Sequence, residues 1–593
     1  MKRLIFILIM VIFLMTLYAK DFTEYYFKFS LKSQKEMEKI GSIVSIDNVK
    51  NGEVYAYAND DTFAKFKTLG YSYEILPHPN TQLNNPKMAT DTASMRDWDS
   101  YPTYETYIDF MYEFETNHPD ICQVTNLGQS VEGRDILVAK ISDNVDQEEA
   151  EPEFFYTGQM HGDELATFMT MLHLIDYLTE NYGSDAQVNN LVNNTEIFIN
   201  PLANPDGTYH GGNHTVQGAI RANANGVDLN RNFPDPEDGE HPDGNSHQPE
   251  TLVMIDFAET HNFVASANLH GGAEVVNYPW DTWPQLHADD NWWQFVSSEY
   301  ADTAQEHSSA DYMDGFNDGI TNGYQWYTTN GNRQDHMNYF HHCREFTLEI
   351  SNVKMLPANE LLDHWDYNKE SLLLYMEQVH YGFKGTVKNS DNEPLEAEIL
   401  IPDHDNNESM VYTDSDFGDF YRPIFEGTYD IEISAYGYIT QTLNNVTISN
   451  YSAVVEDIVL EQAENIDISG TVIDSDTDEP IEGAIVELLD TPLEPATTDA
   501  SGNYSINNVL EGTYTFQVWA EGYAAIMEDH MINSENTVFN FELMVSEAES
   551  FESGSFTGGW DFYGNADWTI TDAVAYDGLH AAQSGDINDN QPS

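Results

Sequence analysis

His161 and Glu164, three apart in His161-Gly162-Asp163-Glu164, place an imidazole and a carboxylate within reach of one metal ion. A catalytic zinc takes three protein ligands and keeps a fourth position for water, so a third ligand must come from elsewhere in the chain. His270 is the natural third: it follows the apolar run Val264–Leu269 and precedes Gly271-Gly272, where the backbone turns. Alone the pair is a weak signal in a chain with 20 His and 101 acids. A second cluster adds to it. The run Arg221 to Asp235 contains Arg221 and Arg231, two of the five arginines between residues 98 and 381. In a stretch this poor in basic residues, two guanidiniums in one motif point to an anion, and a planar guanidinium matches a carboxylate with two hydrogen bonds. Glu349 lies inside the apolar run Phe346–Ile350, where a buried acid is costly without a purpose.

The elements that position these residues follow from periodicity. Short apolar runs at Ile136–Ile141, Phe154–Tyr156, Glu196–Asn200, Val264–Leu269 and Phe346–Ile350 read as strands. After Glu164, apolar residues at Leu165, Phe168, Met169, Leu172, Ile175 and Leu178 mark one face of a helix that ends near Gly183. Strands alternating with helices predict a mixed α/β sheet covered on both faces over residues 98–381. Ligands in such sheets bind at the carboxyl ends of strands, and the candidate residues follow strand candidates.

The rest of the chain is organised around that domain. Its 593 residues predict about four domains. Met1-Lys2-Arg3 followed by the apolar run Leu4–Met15 reads as a signal peptide over 1–19, too short to span a bilayer, so the mature chain is expected to be exported without an integral membrane segment. Residues 20–97 form a small α+β unit, a pro-segment or a permanent accessory, ending in a polar linker at His78–Thr92. Gly385-Thr-Val, Glu426-Gly-Thr-Tyr and Gly437-Tyr recur 85 residues later as Gly470-Thr-Val, Glu511-Gly-Thr-Tyr and Gly522-Tyr. That repeat predicts two small β-sandwiches, at 382–462 and 463–546, with a further β-type segment starting at 547–593 and apparently truncated. The formal charge of −78 repels phosphate backbones and argues against nucleic acid as a partner. Cys122 and Cys343 exclude a cysteine-rich scaffold but leave one disulfide open.

The ordered set His161-Gly-Asp-Glu164, Asn204-Pro-Asp-Gly207, Arg221–Asp235, Gln248-Pro-Glu-Thr251, Asn268-Leu-His-Gly-Gly272, Asn277-Tyr-Pro-Trp-Asp281, Trp326-Tyr327 and Phe346-Thr-Leu-Glu-Ile350 resembles the zinc metallocarboxypeptidases. Within them it resembles the regulatory branch of carboxypeptidases N, E and D, in a bacterial-type exported form. The tail sandwiches resemble that branch's transthyretin-like module. The resemblance implies one Zn2+ held by His161, Glu164 and His270, with Asp228 orienting a ligand imidazole. It implies that Glu349 is the general base toward a zinc-activated water and Arg221 the oxyanion stabiliser. Asn230 and Arg231 would clamp the substrate's terminal carboxylate and Tyr327 close over it. Asp281 and Gln334 would form a pocket for a C-terminal Lys or Arg. One departure, Asn330-Gly-Asn-Arg333, leaves the pocket rim open.

The expected function is therefore a secreted or periplasmic metallocarboxypeptidase acting on peptide and protein C-termini, with the β-modules as candidate contacts to the cell surface or other proteins. Two alternatives stand beside it. One is a murein-peptide or amide hydrolase with the same zinc centre. The other is an inactive adhesive or scaffold protein, which the presence of Glu349 with all three ligands disfavours.

Overall fold

The computed structural model describes residues 22–31, 34–50, 52–308, 311–463, 465–489, 491, 493–545, 568–571 and 581–584. The expected signal peptide and most of the segment from 547 lie outside the described residues. In the latter, Trp568–Thr571 pairs antiparallel with Ala581–Ser584. The chain forms two compact units: residues up to 387 with 394–432 and 442–458, and residues 388–393, 433–441 and 459 onward.

The first unit begins with β1 (Tyr25–Ser30), α1 (Gln34–Gly41), β2 (Ser45–Lys50), β3 (Glu53–Ala58), α2 (Asp60–Thr68) and β4 (Tyr73–Ile75), in an antiparallel sheet of order β2-β3-β1-β4. Alternation along the strands sends Phe27, Phe29, Ile46 and Val54 to one face, where Ile40, Phe63 and Phe66 from the helices close a core. Asn59 starts α2 with a capping box, its side chain accepting from the Thr62 amide while the Thr62 side chain accepts from its own. The stretch expected as a plain linker is partly ordered. Met88–Ala89 pairs with Tyr101–Pro102, and Ala89, Met95 and Trp98 join the core of the following domain. Ala89 and Met95 thus pack with the following domain from before the boundary expected at 97.

That domain contains β5 (Cys122–Gln129), β6 (Asp135–Ile141), β7 (Glu153–Thr157), β8 (Glu196–Asn200), β9 (Phe263–His270), β10 (Glu274–Tyr278), β11 (Ile320–Asn322) and β12 (Arg344–Ile350). They form one mixed sheet of order β11-β10-β12-β9-β7-β8-β6-β5, as expected. The central four, β12-β9-β7-β8, are parallel, and every residue of β8, β9 and β12 is buried. Strands covered on both faces are near-continuous in apolar content, which is why these runs were visible. Alternate residues feed two cores: Phe154 and Tyr156 pack on one face, Phe155 and Phe198 on the other. Cys122 belongs to the first and Cys343 to the second, and both are free thiols.

The helix α3 (Leu165–Asn181) covers the sheet. It is buried well beyond the single face expected, Ala166, Thr170, Met171 and Leu174 included, because Leu361–Glu377 packs on it from the other side. Among the described residues no helix is long and apolar enough to cross a membrane.

Residues 382–460 and 465–543 each form a three-stranded and a four-stranded sheet, the expected pair of small sandwiches. Strands Gly427–Ser434 and Gly512–Trp519 keep the 85-residue offset. The first sandwich sends Arg422 into the preceding domain. Its guanidinium donates to both oxygens of Asp289, at 2.8 and 2.9 Å, and to Asp405 at 2.6 Å, while Arg344 holds Asp289 at 2.8 Å. Burial alone would raise the Asp289 carboxyl, but the two guanidiniums hold it well below the usual carboxylate range.

Candidate active site

The turn between β7 and α3 carries His161 and Glu164, and His270 is the last residue of β9. In the β9–β12 register His270 lies beside Glu349. Three donor atoms converge. His161 Nδ1 and Glu164 Oε1 are 3.0 Å apart, His270 Nδ1 and Glu164 Oε2 3.0 Å, and the two Nδ1 atoms 2.9 Å. The far nitrogens are oriented from behind: His161 Nε2 by Asp228 Oδ1 at 2.9 Å, His270 Nε2 by Asn268 Oδ1 at 2.5 Å. Two imidazoles and a carboxylate, each buried and turned inward by an outer partner, fit a tetrahedral zinc with one position open. Asp228, expected to orient a ligand imidazole, is the partner of His161 Nε2.

Positive charge surrounds this acidic centre. Arg221 donates to Asp228 Oδ2 at 3.0 Å and Glu164 Oε1 at 3.2 Å, and Lys354 Nζ reaches Glu164 Oε1 at 2.6 Å. Burial would raise both acids, but Lys354 and the imidazoles hold Glu164, and Arg221 and His161 hold Asp228, well below the usual range. Glu349 differs. It is 8% exposed, its Oε2 lacks a hydrogen-bond partner, and burial with the neighbouring Glu164 charge pushes it up to about 8. Arg231, Asn230 and Tyr327 line the same cavity. Asn230 is already engaged, its Oδ1 accepting from the Arg333 amide at 2.9 Å.

Asp281 also lines this cavity and is 6% exposed. Asn277 donates to it at 3.0 Å, Gln334 at 3.3 Å and Thr329 at 3.4 Å. Gly323 is needed there, since a Cβ would lie 1.5 Å from Asp281 Oδ1. The nearest groups are neutral amides and hydroxyls, and burial pushes Asp281 up to about 6. The rim left open by Asn330–Arg333 is built from inside. Asn332 caps Arg333–Phe340, and the Arg333 guanidinium turns into the core to pair with Glu345 at 3.1 Å.

Two neighbours escaped the sequence reading. Lys354 follows Glu349 by five residues and carries one of the eleven basic side chains after residue 97, which is a usable signal. Asp335 accepts from the amides of Asp281 at 3.1 Å and Thr282 at 2.8 Å, fixing the loop that presents Asp281. Nothing in the local sequence marks that contact.

The cleft is occupied by the N-terminal unit. Ser45 Oγ donates to Asp228 and accepts from Arg221 Nε at 2.8 Å. Arg231 donates to the Ile46 carbonyl at 3.0 Å, and Tyr327 to the Asp47 carbonyl at 3.4 Å. The Asp47 carboxylate lies 2.7 Å from Lys354 and 3.5 Å from Arg221. Strand β2 thus engages Arg231 and Tyr327, the residues expected to meet a substrate carboxylate, and the cavity left beside them measures about 20 Å³. Glu24 fastens the unit from outside by accepting from the Arg221 and Ala222 amides at 3.0 Å each.

The zinc carboxypeptidase family profile matches residues 107–371, and a carboxypeptidase regulatory-like domain matches 467–544. Carboxypeptidase D of Mus musculus is 39% identical over 363 residues, covering 58% of this chain and 26% of that protein. The chain thus spans about a quarter of the length of the carboxypeptidase D relatives it matches. The catalytic chain of human carboxypeptidase N is 36% identical over 379 residues, 57% of this chain and 81% of that one. Among solved structures, carboxypeptidase A from Helicoverpa armigera aligns with a TM-score of 0.46 at 18% identity, over 60% of this chain and 97% of that one. Carboxypeptidase M of Mus musculus is 33% identical over 388 residues, spanning 61% of this chain and 85% of that protein. A match that runs nearly the whole length of a relative, across the domain that holds the histidine–glutamate centre, settles kinship: the chain belongs to the zinc carboxypeptidase family.

Proposed function

We propose that the chain is an exported metallocarboxypeptidase that removes a C-terminal Lys or Arg. The observation that carries the reading is the buried Asp281 carboxyl, which lines one cavity with Arg231 and Tyr327 and whose direct hydrogen-bond partners are all neutral, with Arg231 acting on it only through space. His161, Glu164 and His270 would hold zinc, which when bound would supply Lewis acidity toward the scissile carbonyl and water. Arg231 receives the substrate's terminal carboxylate in the place the Ile46 carbonyl now takes, and Tyr327 covers it. Arg221 donates to the oxyanion that forms on the scissile carbonyl. Glu349 takes the proton of the attacking water and passes it to the leaving amine nitrogen. The terminal Lys or Arg side chain pairs with Asp281, and Gln334 holds that carboxyl in place. An apolar terminus would leave the acid buried and unpaired, which is how the pocket discriminates.

The occupied cleft favours reading residues 22–80 as a pro-segment rather than a passive accessory. A peptide C-terminus and strand β2 compete for Arg231 and Tyr327, so the intact chain is held inactive until β2 leaves. The test is limited proteolysis of the zinc-loaded chain between Asn80 and Lys87, with release of terminal Arg, Lys, Phe or Leu assayed before and after. The expected result is little release before cleavage and rapid release of Arg and Lys after removal of the N-terminal piece, abolished by Glu349→Gln. Preference for Phe or Leu overturns the pocket assignment. No release from any peptide by the cleaved, zinc-loaded chain favours the murein hydrolase or scaffold reading.

A further inference from the structure

The two candidate zinc-binding imidazoles are oriented by different kinds of group. Asp228, held ionised, can only accept a hydrogen bond, so it fixes the proton of His161 on Nε2 by itself. The partner of His270 is an amide. Asn268 Oδ1 lies 2.5 Å from His270 Nε2 and accepts its proton, which leaves Nδ1 free for a metal. Turned over about its last torsion, the same side chain would present Nδ2, a donor, to Nε2. The imidazole proton would then sit on Nδ1, where it blocks a metal. Which way Asn268 faces therefore decides whether His270 is a ligand.

Glu345 makes that decision. In the parallel register of β9 and β12, Ser266 lies beside Glu345 and Asn268 beside Thr347. Asn268 Nδ2 donates to Glu345 Oε1 at 2.8 Å, Ser266 Oγ donates to Oε2 at 2.6 Å, and the Arg333 guanidinium lies 3.1 Å from that second oxygen. Glu345 and Arg333 are both buried, and among the described residues neither lines the cavity shared by Glu349 and Asp281. Burial raises the Glu345 carboxyl, and Arg333, Ser266 and Asn268 oppose the rise. Thr347 cannot choose between the two orientations of Asn268. Its hydroxyl lies 3.2 Å from Nδ2 and 3.5 Å from Oδ1 and can serve either. Asn230 Nδ2 stands 3.4 Å from His270 Nε2, too long to compete with the 2.5 Å contact.

We propose that Glu345 is a positioning residue for the metal centre. It holds Asn268 so that His270 keeps its proton on Nε2 and offers Nδ1 to zinc, and Arg333 supplies the counter-charge that lets Glu345 stay buried. The inference rests on the zinc centre of the proposed function and is independent of which terminal residue the enzyme prefers.

The test uses the full chain. Zinc affinity is read by competition with a chromogenic chelator, and thermal unfolding of the zinc-free chain reports folding separately. Exchanging one member of the ion pair alone would strand a buried charge, so both are replaced together. Arg333→Met with Glu345→Leu removes the acceptor and should weaken zinc binding about 10–100-fold, with the zinc-free unfolding midpoint close to that of the parent. Arg333→Met with Glu345→Gln keeps a carbonyl toward Asn268 and should bring the affinity back to within about threefold of the parent. Adding Asn268→Asp to the Leu pair makes the partner of His270 acceptor-only, as Asp228 is for His161, and should likewise recover binding. Parent-like affinity in the Leu pair overturns the proposal, as does equal weakening in the Leu and Gln pairs. Should the Leu pair fail to fold, Asn268→Leu leaves the ion pair in place and should show the same loss; parent-like zinc binding there overturns the proposal.

Discussion

Asp289 and Asp281 are both enclosed aspartates of the same domain, yet they have opposite electrostatics. Two guanidiniums hold Asp289 well below the usual range against burial, whereas burial outweighs neutral hydrogen bonds and the more distant Arg231 and lifts Asp281 to about 6. The difference lies in where the counter-charge comes from. Asp289 receives Arg344 from its own domain and Arg422 from the first sandwich, so its charge is spent on holding the chain together. Asp281 receives only amide and hydroxyl groups, which orient a carboxylate without neutralising it. Asp289 is thus paired within the chain, whereas the direct partners of Asp281 leave its charge available to the cationic terminus proposed for it.

The sharpest break of this contrast is Arg422→Met. Leaving Asp289 with half of its counter-charge should cost about 3 kcal/mol, because removing one partner strands a buried charge. Urea unfolding would show it as an earlier midpoint at neutral pH. The sign with pH follows from the depressed carboxyl: in the parent this stabilisation is present above the ordinary aspartate range and is lost as pH falls toward the lowered value. A variant as stable as the parent would falsify the structural role.

Asp281→Asn should behave in the opposite way. Stability is expected to hold or rise, since the unpaired acid is gone. Meanwhile kcat/KM for Arg-terminated peptides on the cleaved enzyme should fall about a hundredfold, the ~3 kcal/mol typical of losing one partner of a buried charge pair. Peptides ending in Phe should change by less than about threefold. Equal losses on both peptides would make Asp281 a structural residue like Asp289.

The smallest effect is a pH dependence. The raised Asp281 carboxyl favours its neutral form in the empty pocket, so its contribution to folding stability is full below the ordinary aspartate value and is lost as pH rises through about 6. Cationic termini need the ionised form. The ratio of kcat/KM for Arg over Phe termini should therefore rise about tenfold between pH 5 and 7 and then level off. A flat ratio would mean that the acid is ionised throughout.

What could be read from the sequence shares one property: the partners are local or repeated. His161 and Glu164 lie on one turn, His270 ends a strand whose apolar run is continuous, and Glu349 is flagged by burial within Phe346–Ile350. The 85-residue repeat announced both sandwiches because duplicated turns and strands keep their spacing. The parallel sheet was legible because its central strands are apolar on both faces. The free cysteines were not, since only the two-faced sheet puts Cys122 and Cys343 in separate cores.

Tertiary structure alone decided the rest. Ser45 to Asp47 meet Asp228, Arg231 and Lys354 across some two to three hundred residues, and no local pattern in β2 marks it as the strand that fills the cleft. Arg422 and Asp289, 133 positions apart, are an ordinary arginine and one of 101 acids until the fold brings them together. The physical reason is that a hydrophobic pattern is fixed by the period of a helix or strand, whereas the counter-charge of a buried acid can come from any element that packs against it. In this chain, residue types and spacing, together with the family resemblance they carry, marked the candidate metal centre and the architecture. The packing of distant elements determined which acids are paired, which stay open to a ligand and what fills the cleft.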